Sequence, residues 1–203
     1  MTLLHLIRHG ATALNPGHYQ GRLDPPLDER GRRQAALLAG WLRDVPFDAV
    51  CTSDLSRARQ TAEALAAGRP LEVCPLPAFR EQAYGPWEGL SFEEAAAQYP
   101  ELWQRYHSGD VDTRLPGGES FRDVMERVGG GLEELRREYE GRTVALVSHV
   151  GCLRAVLSLV LELDPARRHM LHLDNTSWSV LELGPPPLLR RFNDTCHLDG
   201  HVG

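Results

Sequence analysis

Short, unbroken apolar runs alternate along this chain with longer stretches in which apolar side chains recur every three or four residues. The runs Leu3–His9, Asp48–Thr52, Leu71–Pro75 and Thr143–Ser148 are rich in branched residues and read as strands. Between them, Asp28–Arg43 spaces Leu37, Leu38, Trp41 and Leu42 as a helix would, with Asp28 available as a cap. Asp54–Ala67 reads as a second helix, for which Ser53 is the expected cap, and Ser91–Tyr106 as a third. Glu119–Tyr139 aligns Phe121, Val124, Val128, Leu132 and Leu135 along one side, and Cys152–Leu163 is apolar enough to be a buried helix. Two closing strands, Ser177–Leu183 and Leu188–Phe192, flank a Gly-Pro-Pro-Pro turn.

Strands alternating with helices predict an α/β fold, with a mostly parallel central sheet and helices on both faces. Strands without polar alternation fit such a sheet, because both their faces are covered. No interior stretch reads as a linker, so residues 1–203 are expected to form a single domain, with 196–203 as a frayed, mobile tail. Residues 82–118 hold the Ser91–Tyr106 helical stretch and a Gly109–Gly118 loop, and read as a lid-like insertion.

Composition narrows the partners. The 28 acidic residues outnumber the 22 basic ones, giving a net charge of −6, so no overall basic field exists to collect nucleic acid or an anionic membrane. An anionic substrate must then be held by local arginines. Met1–Ile7 lacks a basic leader, and Ala155–Leu161 is too short to span a bilayer. Cys51, Cys74, Cys152 and Cys196 show no metal or redox spacing. These features suggest a cytoplasmic protein with no metal and no cofactor. Monomer and homodimer are both compatible with the sequence.

Several complementary polar groups stand where an apolar strand has just ended or in a nearby loop: Arg8, His9, Arg57, His149, Asn15 and Glu81. In open α/β sheets, ligands bind beyond the carboxyl ends of strands. A phosphate monoester offers peripheral anionic oxygens that match the planar fork of arginine. Two arginines and a second histidine can hold it, leaving His9 to attack phosphorus with a neutral ring nitrogen if its other nitrogen donates to a carbonyl.

Leu6-Ile7-Arg8-His9-Gly10-Ala11-Thr12-Ala13-Leu14-Asn15 resembles the signature of the histidine phosphatase superfamily, in its phosphoglycerate mutase-like branch. Tyr19-Gln20-Gly21, the segments Thr52–Ala62 and Arg80–Gly89, and Val147-Ser148-His149-Val150-Gly151 follow in the family's order. Pro116-Gly117-Gly118-Glu119-Ser120 is similar to the start of the long helix in its phosphatase members. The resemblance implies a three-layer sandwich. It makes His9 the phosphorylated nucleophile, places Arg8, Arg57 and His149 on the phosphate, and makes Glu81 the general acid and base. Asn15, Gln20, Gly21, Val150 and Gly151 are the implied substrate-binding positions. Ala11 departs from the acidic residue common there, without touching a phosphate ligand. Broad-specificity phosphatases and α-ribazole-5′-phosphate phosphatases are both similar, so the expected substrate is a small phosphorylated metabolite.

Two other functions stay open: a phosphoglycerate mutase, which returns the phosphoryl group to its substrate, and a catalytically silent protein that binds a phosphorylated ligand. The remaining histidines, His5, His18, His107, His169, His172, His197 and His201, read as ordinary surface or core residues and Arg59 as solvated. Glu88 is the rival to Glu81. Trp87, Tyr84, Trp103 and Tyr106 suit either the core or an apolar substrate mouth.

Overall fold

Each apolar run becomes a strand, and the central ones are covered on both faces while the edge strands are partly exposed. The computed structural model describes residues 1–199. Strands β1 (Thr2–Arg8), β2 (Ala49–Thr52), β3 (Val73–Pro75), β4 (Thr143–Ser148), β5 (Trp178–Leu183) and β6 (Leu188–Asp194) form one sheet. Their order is β3-β2-β4-β1-β5-β6, and β3, β2, β4 and β1 run parallel while β5 is antiparallel to both neighbours. Alternate residues of one strand enter different cores. Leu4, Leu6, Val144 and Leu146 face helices α5 (Phe121–Glu138) and α6 (Val150–Val160), where Val128, Leu132, Leu153 and Leu157 meet them. Ile7, Val50, Ala145 and Val147 face α1 (Glu29–Trp41) and α2 (Ser56–Ala66) through Leu38, Ala58, Ala62 and Leu65. The result is three layers, with every carboxyl end of the parallel strands at one edge.

A third cluster, Tyr19, Tyr84, Trp87, Ala95, Tyr106 and Leu115, gathers beside that edge, largely from residues 82–118. The helical stretch there differs from the single helix expected. Helix α3 (Phe92–Gln98) and helix α4 (Pro100–His107) are separated at Tyr99, whose φ of −133° and ψ of 56° are not helical. Pro100 has no N–H to continue the ladder and restricts the residue before it, so the break follows from covalent structure. Arg168, 1% exposed, ties this unit to the main body by donating to the carbonyls of Tyr106 (2.9 Å) and Gly109 (3.3 Å) and lying over the Phe121 ring.

Local chemistry also corrects two other expectations and brings two cysteines together. Helix α2 starts at Ser56, and its first N–H is accepted by Asp24 at 2.6 Å, so a loop 32 residues upstream supplies the cap rather than Ser53. Cys51 and Cys74, distant in sequence, stand directly opposite each other on β2 and β3, and burial followed by the neighbouring thiol pushes Cys51 up to about 12. Cys196–Leu198 forms a 3₁₀ turn instead of a frayed end, because His197 is buried and meets Thr176 Oγ1 at 3.0 Å. Residues 200–203, with His201, lie outside the described residues.

The loop after β1 is clamped by the start of α1. Asp28 accepts from Gly31 N at 2.6 Å, as the cap predicted, while Asp28 N donates to Ala11 O (3.1 Å) and Ala11 N to Gln34 Oε1 (2.9 Å). This approach requires a glycine: a Cβ at Gly31 would lie 2.0 Å from Ala11 O. Gly31→Ala should therefore cost about 1–3 kcal/mol of unfolding free energy. Gly40→Ala in the same helix, with nothing within 4 Å of the added carbon, should instead gain about 0.5–1 kcal/mol. Urea denaturation of both variants checks the contrast; equal effects would show that the clamp is loose.

Candidate active site

A cavity of about 730 Å³ opens at the carboxyl ends of β1 and β4, lined by Arg8, His9, Asn15, Gln20, Gly21, Arg57, Glu81 and Val150 among others. Strand β1 delivers Arg8 and His9, the first turn of α2 delivers Arg57, and the stretch after a 3₁₀ turn at Pro77–Phe79 delivers Glu81. His149 follows β4 directly.

His9 is 3% exposed, and its Nδ1 lies 2.7 Å from Gly10 O. A carbonyl only accepts, so Nδ1 carries the hydrogen and Nε2 keeps its lone pair. Burial, reinforced by the positive charges of Arg57 and Arg8 and only partly opposed by the Gly10 carbonyl, holds the imidazole well below its ordinary value of 6.5. The ring is therefore neutral at neutral pH. His149, fully buried, sits with its ring centroid 5.0 Å from that of His9. It is likewise held neutral, by burial first and then by Arg57. Its Nε2 meets Ser53 Oγ at 2.8 Å, which is what Ser53 does in place of capping α2, and its Nδ1 has no hydrogen-bond partner.

The two arginines are held by backbone carbonyls. Arg57, 0% exposed, donates to Leu23 O (2.7 Å) and Gly21 O (2.9 Å), and Arg8 to Leu173 O (2.6 Å). Among the described residues neither makes an ion pair, and the Nε of each is buried without a partner. Burial brings Arg57 down to about 10, still cationic at neutral pH, with Glu81 and Asp24 the strongest opposing charges. A buried and a half-buried guanidinium without a matching anion form a receptor for one.

Glu81, 5% exposed, accepts from Gly151 N at 3.1 and 3.3 Å and from Gln82 N at 2.9 Å. Its backbone is braced from behind. Arg127 donates to Glu81 O (3.3 Å) and to both carboxylate oxygens of Glu119 (2.7 and 3.1 Å), and Glu119 in turn accepts from Ala83 N (2.9 Å). Glu88 has a different task, accepting from Arg22 N (2.9 Å) and Tyr84 N (3.0 Å) to join two loops.

Most expected positions converge here, with differences. Arg8, His9, Arg57, Glu81, Asn15, Gln20, Gly21 and Val150 line the cavity. Gly151 lies behind the wall: its N–H is spent on Glu81, and a Cβ there would come within 2.4 Å of Glu81 Oε1, so it positions the carboxylate. His149 also stands behind His9 rather than on the wall. Of the aromatics, Trp87 is core at 0% exposure, while Tyr84, Trp103 and Tyr106 line the cavity. His18, His107, His169 and His172, expected to be ordinary, share that wall. Two contributors escaped the sequence. Asn175 donates from Nδ2 to His9 O at 3.0 Å, and Arg154 projects from α6.

Residues 4–195 match the family model described as the histidine phosphatase superfamily, branch 1. The chain belongs to this superfamily. This histidine phosphatase is 38% identical over 200 residues to phosphoserine phosphatase 1 of Hydrogenobacter thermophilus, covering 98% of the chain and 95% of that protein. A mutant phosphoserine phosphatase from Entamoeba histolytica, in complex with phosphoserine, superposes with a TM-score of 0.88 at 31% identity, over 98% of this chain and 100% of that one. A putative α-ribazole-5′-phosphate phosphatase from Escherichia coli gives 0.87 at 28% identity, over 96% and 97%. The superfamily and these relatives make the chain a phosphoric monoester hydrolase.

Two predictions follow from the electrostatics of this histidine phosphatase. The unfolded chain binds protons near 6.5, whereas His9 and His149 titrate well below that and buried His5 and half-buried His169 at about 4. The folded state thus binds fewer protons below 6.5, so the histidine contribution to stability is complete above that pH and is lost as pH falls towards the folded values. The urea midpoint should decline from about pH 7 to pH 5, and a flat profile would mean the rings are charged in the fold. Inorganic phosphate should also raise the thermal midpoint by binding only the folded state. Arg57→Met should abolish that response, and a rise of the same size in the variant would place the anion elsewhere.

Proposed function

We propose that the chain hydrolyses phosphate monoesters of small metabolites in two displacements through a phosphohistidine on His9. The observation that carries this reading is a neutral imidazole with a free ring nitrogen beside two largely desolvated guanidiniums that lack an anion. The phosphate docks against Arg8 and Arg57, with Asn15 at the rim and His149 behind His9. Nε2 of His9 attacks phosphorus, the phosphorus–oxygen ester bond breaks, and the carboxyl proton of Glu81 passes to the departing alkoxide. Water then attacks the phosphohistidine and gives its proton to the Glu81 carboxylate, and the phosphorus–nitrogen bond breaks to release phosphate and regenerate His9. Positioning and charge stabilisation account for most of the catalysis in such a transfer.

The names of relatives suggest phosphoserine and α-ribazole 5′-phosphate as first substrates to try. The mutase alternative uses the same first step but returns the phosphoryl group to a second hydroxyl. Incubation with 3-phosphoglycerate separates the two, since isomerised phosphoglycerate without free phosphate would indicate the mutase. A silent binding protein would turn over no ester at all.

Proton transfer by Glu81 gives the sharpest test. An alkoxide needs a proton as it leaves and nitrophenolate does not, and general acid assistance is typically worth about 10²–10⁴-fold. Glu81→Gln should slow phosphoenzyme formation by about that factor with an alkyl phosphate and only weakly with p-nitrophenyl phosphate. Hydrolysis of the phosphoenzyme should suffer with both, so rapid-quench kinetics should show a nitrophenol burst and an acid-labile label that is absent in His9→Ala. Equal slowing of both first steps without a burst would remove Glu81 from the role.

A further inference from the structure

The cavity extends well past the phosphate pocket, and its outer wall carries a cation with nothing to balance it. Arg154 lies on α6 four residues after Val150, so both stand on one helix face and both line the cavity. A helical side chain leans back towards the N-terminus, which for α6 is the end at His149, so Arg154 reaches towards the site. Its Nε donates to Leu171 O at 2.9 Å, which orients the guanidinium plane. Among the described residues Nη1 and Nη2 have no hydrogen-bond partner, and Arg154 makes no ion pair.

The surroundings deepen the imbalance. The charge of Arg154 is felt by Arg8 on one side and by His107, His169 and Arg168 on the other, which puts it between the phosphate pocket and the aromatic wall. The wall's carboxylates are engaged elsewhere or face solvent. Asp174 is taken by His172 (3.0 Å) and Asn193 (2.9 Å), Glu81 by Gly151 and Gln82, and Asp199 is exposed. A phosphate on Arg8 and Arg57 leaves Arg154 still unmatched.

Resting on the phosphatase reading above, we propose that Arg154 binds a carboxylate on the alcohol half of the substrate through its Nη1–Nη2 edge. With Nε fixed on Leu171, that edge is the free side of the fork, and a carboxylate offers it two oxygens in plane. The preferred substrates are then phosphorylated hydroxy acids or hydroxy amino acids, and neutral phospho-alcohols or nucleoside-like phosphates bind less well.

Matched substrates isolate the carboxylate: 3-phosphoglycerate against glycerol 3-phosphate, and O-phosphoserine against O-phosphoethanolamine, with p-nitrophenyl phosphate as the control. The wild-type protein should favour each carboxylate member in kcat/KM. Arg154→Met should lower kcat/KM for those two by about 10–100-fold, mainly through KM, as expected for one lost charge-assisted contact. The other three esters should change by less than about 3-fold. Arg154→Lys, which keeps the charge but not the fork, should fall between. Equal losses on all five esters would make Arg154 a structural or phosphate-binding residue, and a wild-type protein indifferent to the carboxylate would overturn the assignment outright. If the wild-type protein released no phosphate even from p-nitrophenyl phosphate, the phosphatase reading itself would fail and the assignment with it; turnover without discrimination would sink only Arg154's role.

Discussion

Arg57 wholly and Arg8 in large part are cations taken out of water and given carbonyl oxygens instead of carboxylates, and much of the site follows from that arrangement. Removing an ion from water costs several kcal/mol after relaxation, and neutral carbonyls return only part of it. A carboxylate placed against Arg57 would relieve the cost but would occupy the position an anionic ligand needs. Burial first, and then the same charges, keep His9 and His149 unprotonated, so the chemistry of the nucleophile and the binding of its target are linked. Glu81 stays in the cavity as a carboxyl group because backbone N–H groups of Gly151 and Gln82 hold it, leaving the guanidiniums unmatched.

Such a site needs rigid loops, and the loops here are fastened by side chains from distant elements. Asp24 and Gln60 reach between the loop that follows Gln20 and helix α2, through Ser56 N at 2.6 Å and Leu27 N at 2.8 Å. Glu88 joins Arg22 to Tyr84, and the Arg127–Glu119 pair holds the segment from Glu81 to Ala83. These polar contacts fix the backbone carbonyls that in turn orient the arginines.

The chain's pattern shows the sheet, both helical layers and the central machinery, because these depend on local features. An apolar run marks a strand, Asp28 marks a helix start, and Arg8, His9 and His149 stand where runs end. Contributors that depend on the neighbouring strand or helix are not visible in this way. Asn175 reaches His9 only because β5 lies antiparallel beside β1, a pairing no local pattern reveals. Arg154 interrupts the apolar stretch Cys152–Leu163 as a solvent-facing arginine would, and its position on the cavity wall depends on how α6 is rotated. Ser53 has the sequence position of a cap, but Asp24 takes that task and His149 takes Ser53. Pro100 is the opposite case: the break it imposes was legible, and the helical spacing on either side masked it.

The order of the strands has one more consequence, for synthesis. Strand β1 is made well before its two partners in the sheet, β4 and β5, which begin at Thr143 and Trp178. The ribosome must therefore release the residues through β4 before Leu3–Ile7 can find a neighbour, and until then an apolar strand with both edges open remains available to other chains. Long-range pairing of this kind folds slowly and exposes the chain to aggregation. His9, just past the end of that strand, is translated well before His149 and has to wait for β4 and β5 to be enclosed.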